Sequence, residues 1–471
     1  MKQTDFAATI PYVPNQIIIF GHPQRIEALL EANSATQSGP AEQGDTAARS
    51  PQRITSTQFV VKTLSSAEEK QVRNLPEPYL RELQLYHIAG PEIAPDLPGF
   101  EDVLVQRNYL IRGIPWTVGG SPWTVGGSPW TVGGSPWTVG GSPWLNEAGE
   151  GGKNIRHQAE TLFRQQWAFG PHGIRAESLL VTRQPGPDDG ENVVVGVFDT
   201  SPFAVPTTSI TLEMPPAPMT LTLQHPIPGG VPTGCGGGLG NHGFFVSGLI
   251  HALAPAAQIQ LIRVLDDAAQ GTLFTLVAAL YQFMAALAPH QPAVINLSLA
   301  LHGSDEEDAA DWDGPDLLRD ALWRAYRQGI ITVAAAGNEN AETSTALAAA
   351  YPARWEFVVG VAASNRQRQR ACFSNSGDVM APGGDGDRHC LPAIDRCHDE
   401  QCGYAIISLD VGSYTGYSFG VGSSFAAPLV AGLAARVQAG VNASGTGAGA
   451  EAARQSILNS TAADGIIDLG L

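Results

Sequence analysis

The chain has 471 residues and a formal net charge of −18. A nucleic-acid binder would carry a basic face, so this balance argues against one. Gly (53) and Pro (34) make the chain loop-rich without the composition of disorder throughout, and its length allows a core that needs neither disulfides nor metals.

Five cysteines do not make a disulfide scaffold, and the odd count leaves at least one unpaired within the chain. The N-terminal stretch MKQTDFAATIPYVPNQ has one Lys and no apolar run of signal-peptide type, so the cytoplasm is the default expectation. The longest apolar candidate, Leu273–Ala288, falls short of the ~20 residues of a membrane span and is expected to be a buried helix.

Residues 1–114 form a first unit. Gln16–Phe20 (QIIIF) predicts a strand, Arg25–Ala32 a helix and Gln58–Leu64 a second strand, with a polar Gly/Pro/Ser-containing loop between the last two. The pattern predicts a small α+β domain, and no residue in it looks catalytic. From Pro115 to Trp144 the chain reads PWTVGGS four times and then PW. Gly-Gly and Ser-Pro in every unit break helices, so the seven-residue period is not a coiled coil, and it is too short for a solenoid unit. Residues 115–153 are therefore expected to be a linker. A docking element is the alternative, because Trp116, Trp123, Trp130, Trp137 and Trp144 are costly to leave in water.

From about Asn192 short apolar runs alternate with helical patterns. Val193–Phe198 (VVVGVF), Ile259–Leu265, Ala293–Leu299, Ile330–Ala336 and Phe357–Ala362 predict buried parallel strands. Residues 242–253, Thr272–Ala288 and Pro315–Gln328 predict helices, the last stopped by Gly329. This alternation predicts a parallel β-sheet sandwiched by helices. Such sheets bind ligands at the carboxyl ends of their strands.

Four chemically capable residues fall in those places. The first strand ends in Asp199, a helix opens at His242, a strand ends in Gly337-Asn338, and a late helix opens with Gly422-Ser423-Ser424. A hydroxyl, an imidazole, a carboxylate to orient it and an amide donor are the set that acyl transfer needs. No His follows Ser424, which excludes the Ser, acid, His order of α/β-hydrolases for this nucleophile.

In this order and these contexts the sequence resembles the subtilisin-like serine proteases (subtilases, peptidase S8). VVVGVFDT is similar to the strand ending in the family's catalytic Asp, and NHGFFVSG to its histidine motif. AAAGNEN is similar to the segment carrying the oxyanion-hole Asn, and GSSFAAPLVAG to the nucleophile motif. FSNSGDVMAPG and Gln166-Trp167 also have family counterparts, and the resemblance spans about 160–463. It implies Asp199, His242 and Ser424 as the catalytic residues, Asn338 in the oxyanion hole, and substrate backbone paired along Ser298, Leu299 and Ala300. It implies a catalytic domain over 154–471 and a propeptide-like role for 1–114. That domain would then inhibit the protease within the same chain, and the chain would cut itself between about Arg112 and Arg164. Protein or peptide substrates, no required cofactor, room for calcium, and no nucleic-acid partner complete the expectation.

The chain departs from the family pattern in three places. Phe244-Phe245 stands where the family has Thr-His, Ser201 where it has Gly, and Ser423 where it has Thr. A catalytically weak subtilase-fold binding protein, or an interaction protein working through its repeats, is the competing reading.

Other motifs are blander. Gly234-Cys235-Gly236-Gly237-Gly238 fits no phosphate-binding loop. His251 and His225 are expected to be structural, and Cys372 a small buried apolar residue. The insert holding His389, Cys390, Cys397, His398 and Cys402 has spacings that match no standard zinc pattern. A disulfide with one free thiol, a reduced loop and a metal site stay open there.

Overall fold

The computed structural model describes residues 12–37, 51–88, 93, 97–113, 160–181, 183–203, 208–225, 239–301, 314–342, 347–384, 405–410, 416–443 and 450–467. The tandem repeats, the glycine run at 234–238 and the insert with Cys390, Cys397 and Cys402 lie outside them. Two compact units emerge. One gathers Met1–Leu110, Thr272–Ala288 and His302–Gln328, and the other Ile111–Gly271, Pro289–Leu301 and Gly329–Leu471.

The first unit begins with β1 (Tyr12–Gly21), α1 (Pro23–Gln37), β2 (Gln52–Val60), α2 (Ser66–Val72), β3 (Leu80–His87) and β4 (Leu104–Gly113), whose last three residues belong to the second unit. The strands form an antiparallel sheet in the order β4-β1-β3-β2. Sequence reasoning expected two of these strands and missed β3 and β4. Both strands are polar and apolar by turns, without the continuous apolar run that marks β1.

That run exists because both faces of β1 are covered. Ile17 and Ile19 join Ile26 and Leu29 of α1 in one core. On the alternate face, Phe20 stacks on Tyr281 at 5.1 Å between ring centroids, and Phe59 of β2 stacks on the same ring at 5.2 Å. Tyr281 lies on α4 (Leu273–Ala286), which with α5 (Asp316–Arg327) completes this unit. Gly329, with φ of 86°, follows α5 in the left-handed conformation that ends a helix.

An ionic cluster is buried on that face. Ser65 caps α2, and Glu68 reaches back to the Ser65 N–H at 2.8 Å. Glu68 also accepts from Arg81 Nε at 2.8 Å and from Arg324 Nη2 at 2.6 Å. Arg324 Nε donates to Asp320 at 2.7 Å, and the Tyr281 hydroxyl donates to the same carboxylate at 2.6 Å. Burial works against the Glu68 charge, but Arg324 and Arg81 outweigh it and hold the carboxyl below its ordinary range.

The second unit is built on an eight-stranded sheet in the order β14-β13-β12-β10-β5-β8-β7-β6. Its strands are β5 (Val194–Asp199), β6 (Thr208–Leu212), β7 (Met219–Gln224), β8 (Gln258–Arg263), β10 (Ala293–Leu297), β12 (Ile331–Ala335), β13 (Val359–Ser364) and β14 (Val379–Pro382). All neighbours pair in parallel except β6 with β7. Short strands β9 (Gln270–Thr272) and β11 (Leu299–Ala300) and the hairpin β15 (Ile406–Leu409) with β16 (Tyr417–Gly420) lie outside this sheet. Helices α3 (His242–Leu253), α6 (Ser423–Ala443) and α7 (Ala450–Asn459) pack together against it. The chain leaves β5 toward β8 on one side and β10 toward β12 on the other. The crevice between the carboxyl ends of β5 and β10 is therefore the switch point where such sheets bind ligands.

Helix α3 is buried along its whole length, which explains how it carries a histidine in its last turn without a charge partner. His251 is 1% exposed, and its Nε2–H donates to the Ala217 carbonyl at 2.7 Å. Burial pushes its pKa down to about 4, against the pull of that hydrogen bond. The unfolded imidazole binds its proton at a higher pH than the folded one. Stability is thus complete above the ordinary pKa of 6.5 and is lost as pH falls from there toward about 4, by about 3 kcal/mol in all. His251→Gln is expected to flatten that part of the curve. Urea unfolding at neutral and mildly acid pH checks this, and an unchanged pH dependence in the variant contradicts it.

One cysteine departs from expectation. Cys372 is half-buried and disulfide-bonded, its partner lying outside the described residues, and is not a small buried apolar residue. Its chain neighbours Ala371 and Phe373 lie fully in the core, and Cys372 packs against it from the side. Residue types alone could not tell an inward cysteine from one beside an inward pair. Among the described residues no helix is long and apolar enough to cross a membrane.

Candidate active site

Asp199 is the last residue of β5 and is fully buried. Its carboxylate accepts from the Thr200 N–H at 2.7 Å. His242 is the first residue of α3, placed above it by a close backbone approach. A Cβ on Gly243 would stand 2.3 Å from the Thr200 carbonyl oxygen and 2.8 Å from Asp199 Cβ. Only glycine lets the helix start so near the strand end. Thr200 Oγ1 ties the two together, donating to Gly240 O at 3.0 Å and accepting from Gly243 N at 3.2 Å.

The result is a hydrogen-bonded chain of three side chains. His242 Nδ1–H donates to the Asp199 oxygens at 2.8 and 2.9 Å, and the Ser424 hydroxyl donates to His242 Nε2 at 3.0 Å. A buried carboxylate is acceptor-only, so it fixes the proton on Nδ1 and turns Nε2 into the acceptor. Ser424 stands in the first turn of α6, where the backbone N–H groups point outward and the helix dipole is positive.

Asn338 follows the end of β12. Its Oδ1 accepts from the Ser423 N–H at 2.9 Å, and Ser423 Oγ accepts from the Gly337 N–H at 3.2 Å. With Oδ1 so committed, the remaining polar atom of the amide is the donor Nδ2. Asn375 secures the same loop, its Nδ2 donating to Ala336 O at 3.2 Å and to Glu339 at 2.6 Å.

Ser298 joins β10 to β11, and its side chain donates to the Ser424 carbonyl at 2.8 Å. Along β11, Leu299 pairs with Gly113 and Ala300 with Arg112 in antiparallel register, and Gly113 N–H donates to Ala269 O at 2.9 Å. The structure therefore brings Asp199, His242, Ser424 and Asn338 into one crevice, with Ser298, Leu299 and Ala300 at its edge.

Several supporting residues were not legible in the sequence. Thr200, Asn375 and the Ser298 hydroxyl act through contacts that no local pattern announces. The aromatic pair at 244–245 also gains a reason. Phe244 packs edge-on against Phe203 at 5.3 Å, and Phe245 meets Phe425, the residue after Ser424, at 4.5 Å. Phe425 in turn lies 5.3 Å from the His242 ring, so Phe245 reaches the imidazole through Phe425. Gln166, buried, holds β15 through Ile407 by donating at 3.0 Å and accepting at 2.9 Å.

Comparison with known proteins identifies the family. The family model described as "Subtilase family" matches residues 229–470. Subtilisin E of Bacillus subtilis (strain 168) is 31% identical over 209 residues, which cover 42% of this chain and 45% of the relative. The minor extracellular protease Epr of the same organism is 32% identical over 154 residues, 30% of this chain and 21% of the relative. The chain thus spans less than half the length of these relatives. A crystal structure of a lanthipeptide protease is 19% identical, with a TM-score of 0.46, covering 66% of this chain and 90% of that one.

Proposed function

The chain belongs to the subtilase family, and from that premise we propose that it is a serine endopeptidase acting through Asp199, His242 and Ser424. The hydrogen-bonded run from Asp199 through His242 to Ser424 carries this reading. Ser424 Oγ attacks a peptide carbonyl carbon as its proton passes to His242 Nε2. Asp199 keeps the ring oriented and stabilises the imidazolium. Asn338 Nδ2 and the Ser424 N–H stabilise the oxyanion. The imidazolium then gives its proton to the leaving amine, and water, activated by the same imidazole, releases the acyl group from Ser424. Substrate pairs as an added strand along Ser298, Leu299 and Ala300. Protein or peptide substrates follow, with no cofactor in the chemistry.

The N-terminal region is proposed to be an intramolecular inhibitor that the chain removes by self-cleavage between about Arg112 and Arg164. Supporting this, Arg112 and Gly113 run along Leu299 and Ala300, the line proposed for substrate backbone, and Ile111 beside them is fully buried. A tethered strand also has a high effective concentration at its own site. Two measurements test the proposals separately. A serine-directed phosphonate should label Ser424 of the active protein, and no labelling would favour a subtilase-fold binding protein. Mass spectrometry of freshly purified protein should show cleavage in the wild type and the full 49.5 kDa chain in Ser424→Ala. A wild type that hydrolyses casein at full length would contradict processing as a requirement.

A further inference from the structure

Helix α6 contains a proline in its second turn, Pro428. An α-helical N–H at that position would donate to the carbonyl four residues earlier, which is that of Ser424. Proline has no N–H to give. The helix therefore cannot secure the backbone of its own second residue in the usual way.

A side chain from a neighbouring strand supplies the donor. Ser298 Oγ–H donates to the Ser424 carbonyl at 2.8 Å across 126 positions of sequence. Asn296, the next-to-last residue of β10, donates from Nδ2 to Ser298 Oγ at 3.1 Å. A hydroxyl has a single proton, so a donor on its acceptor side turns that proton toward Ser424. Asn296, Ser298 and Ser424 are all fully buried, so water does not compete for these groups.

We propose that Ser298, aligned by Asn296, is a positioning residue for the nucleophile: its hydroxyl replaces the helical hydrogen bond that Pro428 removes. The bond fixes the peptide plane after Ser424 and with it the turn that presents Oγ to His242 and the N–H to the oxyanion. The inference rests on the reading of Ser424 as nucleophile. Because the Ser298 side chain is engaged with Ser424 and β11 pairs through its backbone, its loss should act on turnover and leave substrate affinity in place.

The test is a double-mutant cycle with Pro428→Ala, which returns an amide N–H to the helix. Steady-state kcat and KM are measured for a chromogenic peptide in the wild type, Ser298→Ala, Pro428→Ala and the double variant. A lost buried hydrogen bond at the nucleophile should lower kcat about tenfold in Ser298→Ala, with KM within about twofold. In the Pro428→Ala background the same substitution should cost no more than about threefold, since the restored amide takes over the bond. A cavity at Ser298 would not be repaired by an amide in another element. Equal costs in both backgrounds, an unchanged kcat, or a change carried by KM would overturn the proposal while leaving Ser424 as nucleophile. A wild type that neither turns over peptide nor takes phosphonate overturns the reading and this inference together. If Ser298→Ala does not fold, Ser298→Cys, with its weak S–H donor, takes its place in the same cycle.

Discussion

Ser424→Ala is expected to abolish casein hydrolysis, with a loss in kcat on the order of a million-fold, the scale known for a subtilisin. His242 Nε2 lies 3.0 Å from the Ser424 hydroxyl, with no second hydroxyl hydrogen-bonded to the ring among the described contacts. Alanine removes the attacking oxygen and leaves the fully buried surroundings packed, so thermal stability should change little. Asn338→Ala should lower kcat by about 10²–10³, again the range known for a subtilisin. It removes the proposed oxyanion donor and also the acceptor that holds the Ser423 N–H at 2.9 Å. Hydrolysis retained in Ser424→Ala would reject the assignment outright, whereas a silent Asn338→Ala would reject only the oxyanion role.

Arg324→Ala should destabilise the first unit by up to about 3–5 kcal/mol, because it leaves the buried Glu68 carboxylate with Arg81 alone and Asp320 with the Tyr281 hydroxyl alone. Arg324 and Glu68 side chains are 2% and 6% exposed and 2.6 Å apart, and Asp320 shares the same guanidinium. Arg324→Met should not rescue it while Glu68 keeps its charge, whereas combining Arg324→Met with Glu68→Gln should recover part of the loss. The pH dependence has a definite sign. Glu68 titrates below its ordinary value in the folded chain, so its contribution is present above the unfolded carboxylate pKa and disappears as pH falls through the folded one. Thermal unfolding followed against pH checks both statements. A Tm for Arg324→Ala within error of the wild type would show that the cluster contributes nothing.

Much of the candidate site is legible in the sequence, because its residues sit in short contiguous segments. Asp199 closes an apolar run, Ser424 opens a helix and Asn338 follows a strand, so strand ends and helix starts announced themselves through hydrophobic period and Gly. His251 was expected to be structural from its place inside an apolar helix, and its bond to Ala217 fits that. The N-terminal region was less legible. β3 carries Arg81, Glu82 and Gln84 in buried positions, and polar residues that find partners inside imitate a surface segment in a sequence scan. Cys372 is hard to read for a related reason, since a disulfide leaves no local trace in the sequence.

The sequence by itself determined which residue types stand at the ends of which strands, and hence the class of reaction proposed for them, because those choices depend on neighbours a few positions away. Only the tertiary structure decided what holds them in place. Glu68 and Arg324 meet across 256 positions, Gly113 reaches β11 as an added strand, and Ser298 completes a helix that Pro428 left one bond short. The physical reason is common to all three. A buried polar group must find a partner or bear the full cost of desolvation, and which partner it finds depends on where the packed sheet and helices bring distant side chains.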